Sequence, residues 1–88
     1  MVVPADDVVV HEESGEAFLL NVADGRYYAL NPTGLVVWQA LQDGVDPITA
    51  VQDQWPEAPD DLVRSDVDRL LNELLTAGLV RAAGESQG

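Results

Sequence analysis

The 88-residue sequence has no cysteine, no lysine and a single histidine, His11. The lack of cysteine excludes thiol nucleophiles and disulfides, which fits a reducing compartment. No apolar run approaches the roughly 20 residues that a membrane-spanning helix needs, and residues 1–4 lack the basic start of a signal peptide. We therefore expect a cytoplasmic protein without a membrane segment.

The length is enough for one domain with one modest core, which we place over residues 1–88. We expect the ordered core to span about residues 6–81. Residues 1–5 read as a loose lead-in, and residues 82–88 have nothing to bury and read as a frayed tail.

Positive charge is scarce, because four arginines stand against sixteen acidic residues and the formal net charge is −12. Affinity for nucleic acid comes mainly from Lys and Arg contacts to phosphates, so we expect no nucleic-acid partner. A basic peptide or basic protein surface would be attracted, more strongly at low salt. The acidic residues could equally serve solubility alone, and composition does not choose between these two interpretations.

The residues needed for catalysis or metal binding are also missing. His11 is isolated at a strand end, and neither Ser14 nor Ser65 has a plausible histidine partner. The aspartates between residues 60 and 68 lack the glycine and glutamate spacing of a calcium loop, and there is no glycine-rich phosphate loop. The sequence therefore predicts a protein that is not an enzyme and that carries no cofactor and no metal.

Three short apolar segments in the first third of the chain predict an antiparallel meander: Val8–His11, Ala17–Val22 and Arg26–Leu30. Asp24-Gly25 between the last two is a strong hairpin signal. If these two residues form the turn, the strand pairs are Val22 with Tyr27, Leu20 with Ala29 and Leu19 with Leu30.

Both faces of this hairpin are then largely apolar. One face carries Phe18, Leu20, Val22, Tyr27 and Ala29, and the other carries Leu19, Asn21, Tyr28 and Leu30. A sheet with one solvated face should alternate apolar and polar residues. We therefore expect either that helices wrap around an edge of the sheet or that a partner covers part of it.

Two N-cap and proline pairs, Asn31-Pro32 and Asp46-Pro47, predict the starts of two helices. The first helix should end at Asp43-Gly44 and the second before Pro56. A longer third helix should begin near Asp60-Asp61 and end at Gly78. The order β-β-β-α-α-α predicts a winged-helix-like α+β fold with a three-stranded antiparallel meander.

The aromatic residues divide between core and surface. Trp38 and Trp55 lie at helical spacing with aliphatic residues, so we expect both in the core. Tyr28 shares a strand face with Leu30 and is a core candidate. Tyr27 lies on the opposite face and is the better candidate for an exposed aromatic.

The stretches YALNPTGLVVWQALQDG and DVDRLLNELLTAGLV together resemble the PqqD-like family, whose members are called RiPP recognition elements. The resemblance covers about Val8 to Arg81, and it depends on the combination of motifs rather than on one of them. Beside the tyrosine, the matching positions are Leu30-Asn31, Thr33-Gly34, Trp38, Leu41, Asp43-Gly44, Asp66-Val67, Leu70, Leu74 and Gly78-Leu79.

The resemblance implies a module that binds the leader segment of a ribosomally made precursor peptide. In such modules the leader adds as a strand against the third strand and lies beside the third helix. On that basis the predicted peptide-binding residues are Arg26, Tyr27, Tyr28, Ala29, Leu30, Val67, Asp68, Leu70, Leu71 and Leu74. The sequence does not distinguish which of the helical residues face the groove and which face the core.

Within the family, the chain looks most like the lasso-peptide branch. There the domain is a stand-alone partner of a separate leader peptidase of the cysteine-protease type. The alternative in the same family is a peptide chaperone of pyrroloquinoline quinone biosynthesis. A winged-helix DNA-binding protein is disfavoured by the charge, and a small acidic carrier protein would need a modifiable serine at a helix start, whereas Ser65 lies within a helix.

Overall fold

The computed structural model describes residues 2–14 and 16–82. It has the α+β order predicted from the sequence, with a three-stranded meander followed by three helices, and it adds a short strand at either end. The elements are β1 (Val2–Pro4), β2 (Val8–Glu13), β3 (Glu16–Asn21), β4 (Arg26–Leu30), α1 (Pro32–Asp43), α2 (Pro47–Gln54), α3 (Asp60–Thr76) and β5 (Val80–Ala82). None of the helices in this part of the chain is long and apolar enough to cross a membrane.

The main sheet has the order β2-β3-β4, and all neighbours are antiparallel. The predicted register of the second hairpin is wrong by two residues, because Leu20 lies opposite Tyr27 and Leu19 opposite Tyr28. Four residues, 22–25, connect the strands instead of two, and the Gly25 N–H donates to the Asn21 carbonyl oxygen at 2.7 Å. A shift of two residues leaves every side chain on its face, so the predicted composition of the two faces is retained for the residues within the strands.

The two ends of the described chain pair with each other. β1 and β5 form a separate two-stranded antiparallel sheet, with Val2 opposite Ala82 and Pro4 opposite Val80. The prediction of a loose lead-in is therefore wrong for Val2–Pro4, and Ala82 is paired rather than frayed. The rest of the predicted tail, residues 83–88, lies outside the described residues. Three-residue strands are too short to show a period in the sequence.

The connection from β4 to α1 is tight. The Asn31 side chain accepts a hydrogen bond from the Gly34 N–H at 2.8 Å, which caps the helix as predicted, and Pro32 occupies its first turn. A Cβ added at Gly34 would lie 3.0 Å from Leu30 Cδ2 and 3.3 Å from the capping oxygen of Asn31. Glycine therefore allows the helix to begin directly against the last residue of β4.

The core lies between the helix-facing side of the main sheet and the three helices. Its largest fully buried side chains are Trp38, Leu19, Leu74, Leu79, Val37 and Val67. The prediction for Trp38 is confirmed, but the prediction for Trp55 is wrong, because 37% of Trp55 is exposed. Trp55 is the C-cap of α2 with φ −130° and ψ 76°, so the helical spacing that suggested burial no longer applies at that position.

One buried polar side chain joins the sheet to α3. Asn21, at the end of β3, is 7% exposed. Its Nδ2 donates to the carbonyl oxygens of Ala77 and Gly78 at 3.5 Å each, and its Oδ1 accepts from the Ala23 N–H at 3.0 Å. The end of α3 is thereby held against the sheet on the side where β4 begins.

Candidate functional site

A groove of about 410 Å³ runs between β4 and α3. One wall is the edge of the main sheet and the following turn, and the other wall is one side of the helix. The residues that line it are Tyr28, Ala29, Leu30, Asn31, Thr33, Asp66, Arg69, Leu70 and Glu73.

The sheet wall offers main-chain hydrogen-bonding groups. β4 pairs with β3 on one side, and no strand within residues 2–14 and 16–82 pairs with it on the other. In an antiparallel sheet, alternate residues of an edge strand direct their N–H and C=O groups away from the neighbour. β4 can therefore accept one further strand along the groove.

The helix wall is a polar stripe with one leucine. Asp66, Arg69, Leu70 and Glu73 follow the spacing i, i+3, i+4, i+7, which places them on one side of α3. Arg69 Nη2 donates to Asp66 Oδ1 at 2.9 Å, so this arginine is already paired with an acidic neighbour. Two carboxylates and one guanidinium leave this wall with a net negative charge, which favours a basic ligand.

Tyr28 connects the two walls. It projects from β4 on the same face as Leu30, and its hydroxyl donates a hydrogen bond to the Glu73 carboxylate of α3. Burial raises the pKa of Tyr28 to about 12, and the hydrogen bond and the negative charge of Glu73 act in the same direction. The neutral phenol is therefore the favoured form in the folded protein.

We expect one tyrosine to titrate well above the ordinary pKa of 10.0, at about 12. Since the pKa of Tyr28 is higher in the folded than in the unfolded chain, its contribution to stability is complete below pH 10 and is lost as the pH rises through about 12. Ultraviolet titration of the phenolate should show a high-pH step that is missing in Tyr28→Phe. If Tyr28→Phe removed absorbance that develops near pH 10 instead, the contact with Glu73 would be wrong.

Four of the predicted site residues line the groove: Tyr28, Ala29, Leu30 and Leu70. Leu30 is largely buried and contributes at the floor, since it is 4% exposed. Arg26, at the start of β4, lines an adjoining depression that shares Arg69 and Glu73 with the groove. The structure therefore places these five residues on or beside the groove.

The other five predicted residues lie elsewhere. Val67 and Leu74 are 0% exposed and belong to the core. Leu71 lines a separate apolar pocket beside β1 and the α1–α2 connection. Tyr27 is 74% exposed, as expected, but it lies on the face of the sheet that points away from the helices. Asp68 is exposed and is not among the residues that line the groove.

Sequence reasoning missed most of the helix wall. Asp66, Arg69 and Glu73 line the groove, as do Asn31 and Thr33 after β4. Most of the residues predicted from α3 belong to its apolar stripe, but an apolar stripe identifies the side of a helix that faces the core. The sequence signal for the groove wall is the polar stripe Asp66, Arg69, Leu70 and Glu73, which lies next to the apolar stripe and keeps helical spacing.

The described residues contain no group of three or more His, Cys, Asp or Glu side chains placed to hold a metal ion. His11 lies beside Glu13, with 3.5 Å between His11 Nε2 and Glu13 Oε1, and both side chains are exposed. The groove offers main-chain hydrogen-bonding groups on its sheet wall and charged side chains on its helix wall.

Fold and groove together define a winged-helix-like α+β domain with an open strand edge beside its longest helix. The family described as "Coenzyme PQQ synthesis protein D (PqqD)" matches residues 8–80, and the chain belongs to this family. The resemblance predicted from the two motif stretches is confirmed. A search of curated proteins found no match.

Two solved structures share the fold. One is described as "TbiB1 in Complex with the TbiA(beta) Leader Peptide"; it is 22% identical, with a TM-score of 0.83, over 94% of this chain and 99% of that chain. The other is described as "Lasso peptide synthetase B1 complexed with the leader peptide"; it is 23% identical, with a TM-score of 0.81, over 92% of this chain and 98% of that chain. At these identities the similarity shows the fold.

Proposed function

We propose that this protein is a non-catalytic module that binds the leader segment of a ribosomally made precursor peptide as an additional strand on β4. The observation that carries the proposal is the edge of β4 that no other strand of the described residues covers, which runs beside α3 along a groove of about 410 Å³. Membership of the PqqD family and a fold shared with two proteins bound to leader peptides support it.

The groove offers side-chain contacts that add to the affinity from main-chain hydrogen bonds. Each new hydrogen bond contributes a net ~0.5–1.5 kcal/mol, and the cost of ordering a flexible peptide offsets much of the sum. A side chain buried in a groove adds roughly 1.5–3 kcal/mol. Leu70 and the ring of Tyr28 offer apolar contact for such an anchor, while Asp66 and Glu73 favour a basic neighbour.

Within this function we propose the lasso-peptide branch. The protein would act in the cytoplasm and would present the bound precursor to a separate leader peptidase of the cysteine-protease type and to later maturation enzymes. Both structural neighbours contain a leader peptide, and one is described as a lasso peptide synthetase component. This supports the branch over other members of the family.

The test is titration of a fluorescently labelled leader peptide, with chemical-shift mapping of the bound state. We expect saturable binding, with the largest shifts in Arg26–Leu30 and on the Asp66–Glu73 side of α3. Affinity should fall as salt rises, because the net charge of −12 attracts a basic peptide. A peptide of the same composition in scrambled order is the control, and equal binding of both peptides would contradict strand addition at β4.

The family match also favours a second candidate, a peptide chaperone of pyrroloquinoline quinone biosynthesis. It would use the same edge and groove for a different precursor. Parallel titration with a lasso-type leader and with the precursor of that pathway separates the two candidates, since the correct peptide should bind more tightly.

A further inference from the structure

The scarce positive charge of this protein is concentrated at one end of the groove. The chain has four arginines and no lysine, and two of the four, Arg26 and Arg69, line the same depression beside the start of β4. This depression has a volume of about 540 Å³ and shares Arg69 and Glu73 with the groove. In a chain with a formal net charge of −12, such a local concentration of guanidinium groups favours an anionic group of a ligand at this point.

Other side chains of the depression also carry hydrogen-bond donors. Asn72 has an amide group with two N–H donors and Thr76 has a hydroxyl, while each guanidinium has five N–H donors. Glu73 is the acidic residue that lines the depression, and its carboxylate already accepts the hydrogen bond from the Tyr28 hydroxyl. The depression can therefore surround an anionic oxygen with donors from both β4 and α3.

Both arginines are exposed and weakly paired, so they are available to a ligand. Arg26 Nε lies 3.9 Å from Asp24 Oδ2, and the Arg26 side chain is 77% exposed. Arg69 Nη2 donates to Asp66 Oδ1 at 2.9 Å, and the Arg69 side chain is 70% exposed. Exposed ion pairs of this kind contribute little to stability, and a guanidinium has donors on more than one edge. Arg69 can therefore bind a second carboxylate while it keeps its contact with Asp66.

The end of α3 lies beside the depression, and its carbonyl groups are mostly satisfied. A helix C-terminus carries a partial negative charge that would oppose an anion. Here the carbonyl oxygens of Glu73 and Leu74 accept hydrogen bonds from N–H groups that follow the helix, and those of Ala77 and Gly78 accept from Asn21 Nδ2. These hydrogen bonds reduce the repulsion, so the two guanidinium groups dominate the local charge.

The depression lies at a defined point along any strand that is added to β4. Arg26 lies opposite Asn21, whose side chain contacts the end of α3, so α3 ends where β4 begins. Asp66 lies ten residues before Thr76, about 15 Å back along the helix toward the Leu30 end of β4. A strand that continues the antiparallel sheet runs from the Leu30 end to the Arg26 end. Its carboxyl end therefore reaches the depression, and its amino end lies toward Asp66.

We propose that this depression binds an aspartate or glutamate side chain of the leader peptide, at the carboxyl end of the segment that pairs with β4. Arg26 and Arg69 hold the carboxylate, and Asn72 and Thr76 add hydrogen bonds. This inference rests on the proposed function, because it assigns a residue class to one position of the bound leader. With Asp66 toward one end and two arginines at the other, the site recognises both the register and the direction of the leader.

The experiment is fluorescence anisotropy with the full chain and a set of labelled leader peptides in which each Asp or Glu is replaced in turn by Asn or Gln. One replacement should weaken binding to the parent chain about fivefold to tenfold. Arg26→Gln/Arg69→Gln should weaken binding of the unmodified leader by a similar factor. This variant should then be insensitive to the same replacement in the leader, because both changes remove one interaction.

The other two arginines provide the matched control. Arg64→Gln/Arg81→Gln removes the same charge at two exposed residues outside the depression, and it should leave leader affinity within about twofold of the parent chain. Equal affinities of the two double variants would overturn the carboxylate site. So would a leader that binds equally well after each acidic residue is replaced, or a bound leader that has no acidic residue. If the unmodified leader shows no saturable binding to the parent chain, the proposed function itself is refuted.

Discussion

Replacing Leu74 by alanine should lower the free energy of unfolding by about 3 kcal/mol. Leu74 is completely buried on α3 and packs in the same core cluster as Leu19 and Trp38. Truncation removes three carbon atoms and leaves a cavity among rigid neighbours. Because a domain of this size has a total stability on the order of 5–10 kcal/mol, the variant should remain folded with a clearly lower midpoint in urea.

The adjacent residue provides the control. Leu75 is 40% exposed, so Leu75→Ala should cost less than about 1 kcal/mol. At temperatures where Leu74→Ala is folded, its leader affinity should match that of the parent chain, because Leu74 does not line the groove. A stable Leu74→Ala variant with weakened leader binding would show that α3 faces the peptide with this side instead.

Leu70→Ala should weaken leader binding about tenfold, whereas Leu71→Ala should leave it within about twofold. The two leucines are adjacent, are both half-buried and both pack against the core, so their truncations should cost similar stability. The two leucines differ in the cavity that each of them lines. Leu70 faces the groove beside Tyr28, and Leu71 faces the apolar pocket beside β1. Fluorescence anisotropy with a labelled leader peptide measures both affinities.

This pair separates loss of a contact from loss of stability. Equal weakening by both substitutions would mean that binding responds to a general loosening of α3. Weakening by Leu71→Ala alone would place the peptide on the far side of the helix and contradict the proposed groove. Urea denaturation of both variants should confirm that their stabilities are comparable.

Much of the fold follows from local rules that are visible in the sequence. The Asn31 and Asp46 caps, each followed by proline, begin helices as predicted, and Gly44 and Gly78 end helices with φ of 74° and 77°. Side-chain alternation assigned the residues of β3 and β4 to the correct faces even though the register was wrong, because a two-residue slip preserves that alternation. The burial of Trp38 followed from helical spacing.

The remaining features depend on contacts that a local pattern does not encode. The pairing of β1 with β5 joins residues about 80 positions apart, and each strand is only three residues long. Whether Asp24-Gly25 is a two-residue turn or the end of a four-residue connection depends on the hydrogen bond between Gly25 and Asn21. Both alternatives satisfy the same turn preferences.

The candidate site was predicted on its strand side and missed on its helix side for a physical reason. An edge strand is identified by its place at the end of a meander, so Tyr28, Ala29 and Leu30 were found. The helix α3 supplies apolar residues to the core and mainly polar residues to the groove. A search for hydrophobic residues therefore identifies the core residues and not those of the groove. Val67 and Leu74 were therefore selected, while Arg69 and Glu73 were not.

The β1–β5 pairing also has a consequence for protein engineering. Because Val2 lies opposite Ala82, the chain enters and leaves the described domain at neighbouring points. Domains with adjacent ends can be inserted into a surface loop of a host protein without separating the two sides of that loop. This domain is therefore suited to be a compact insert with its β4 edge left open, and on the proposed function such an insert would add peptide recognition to a host enzyme.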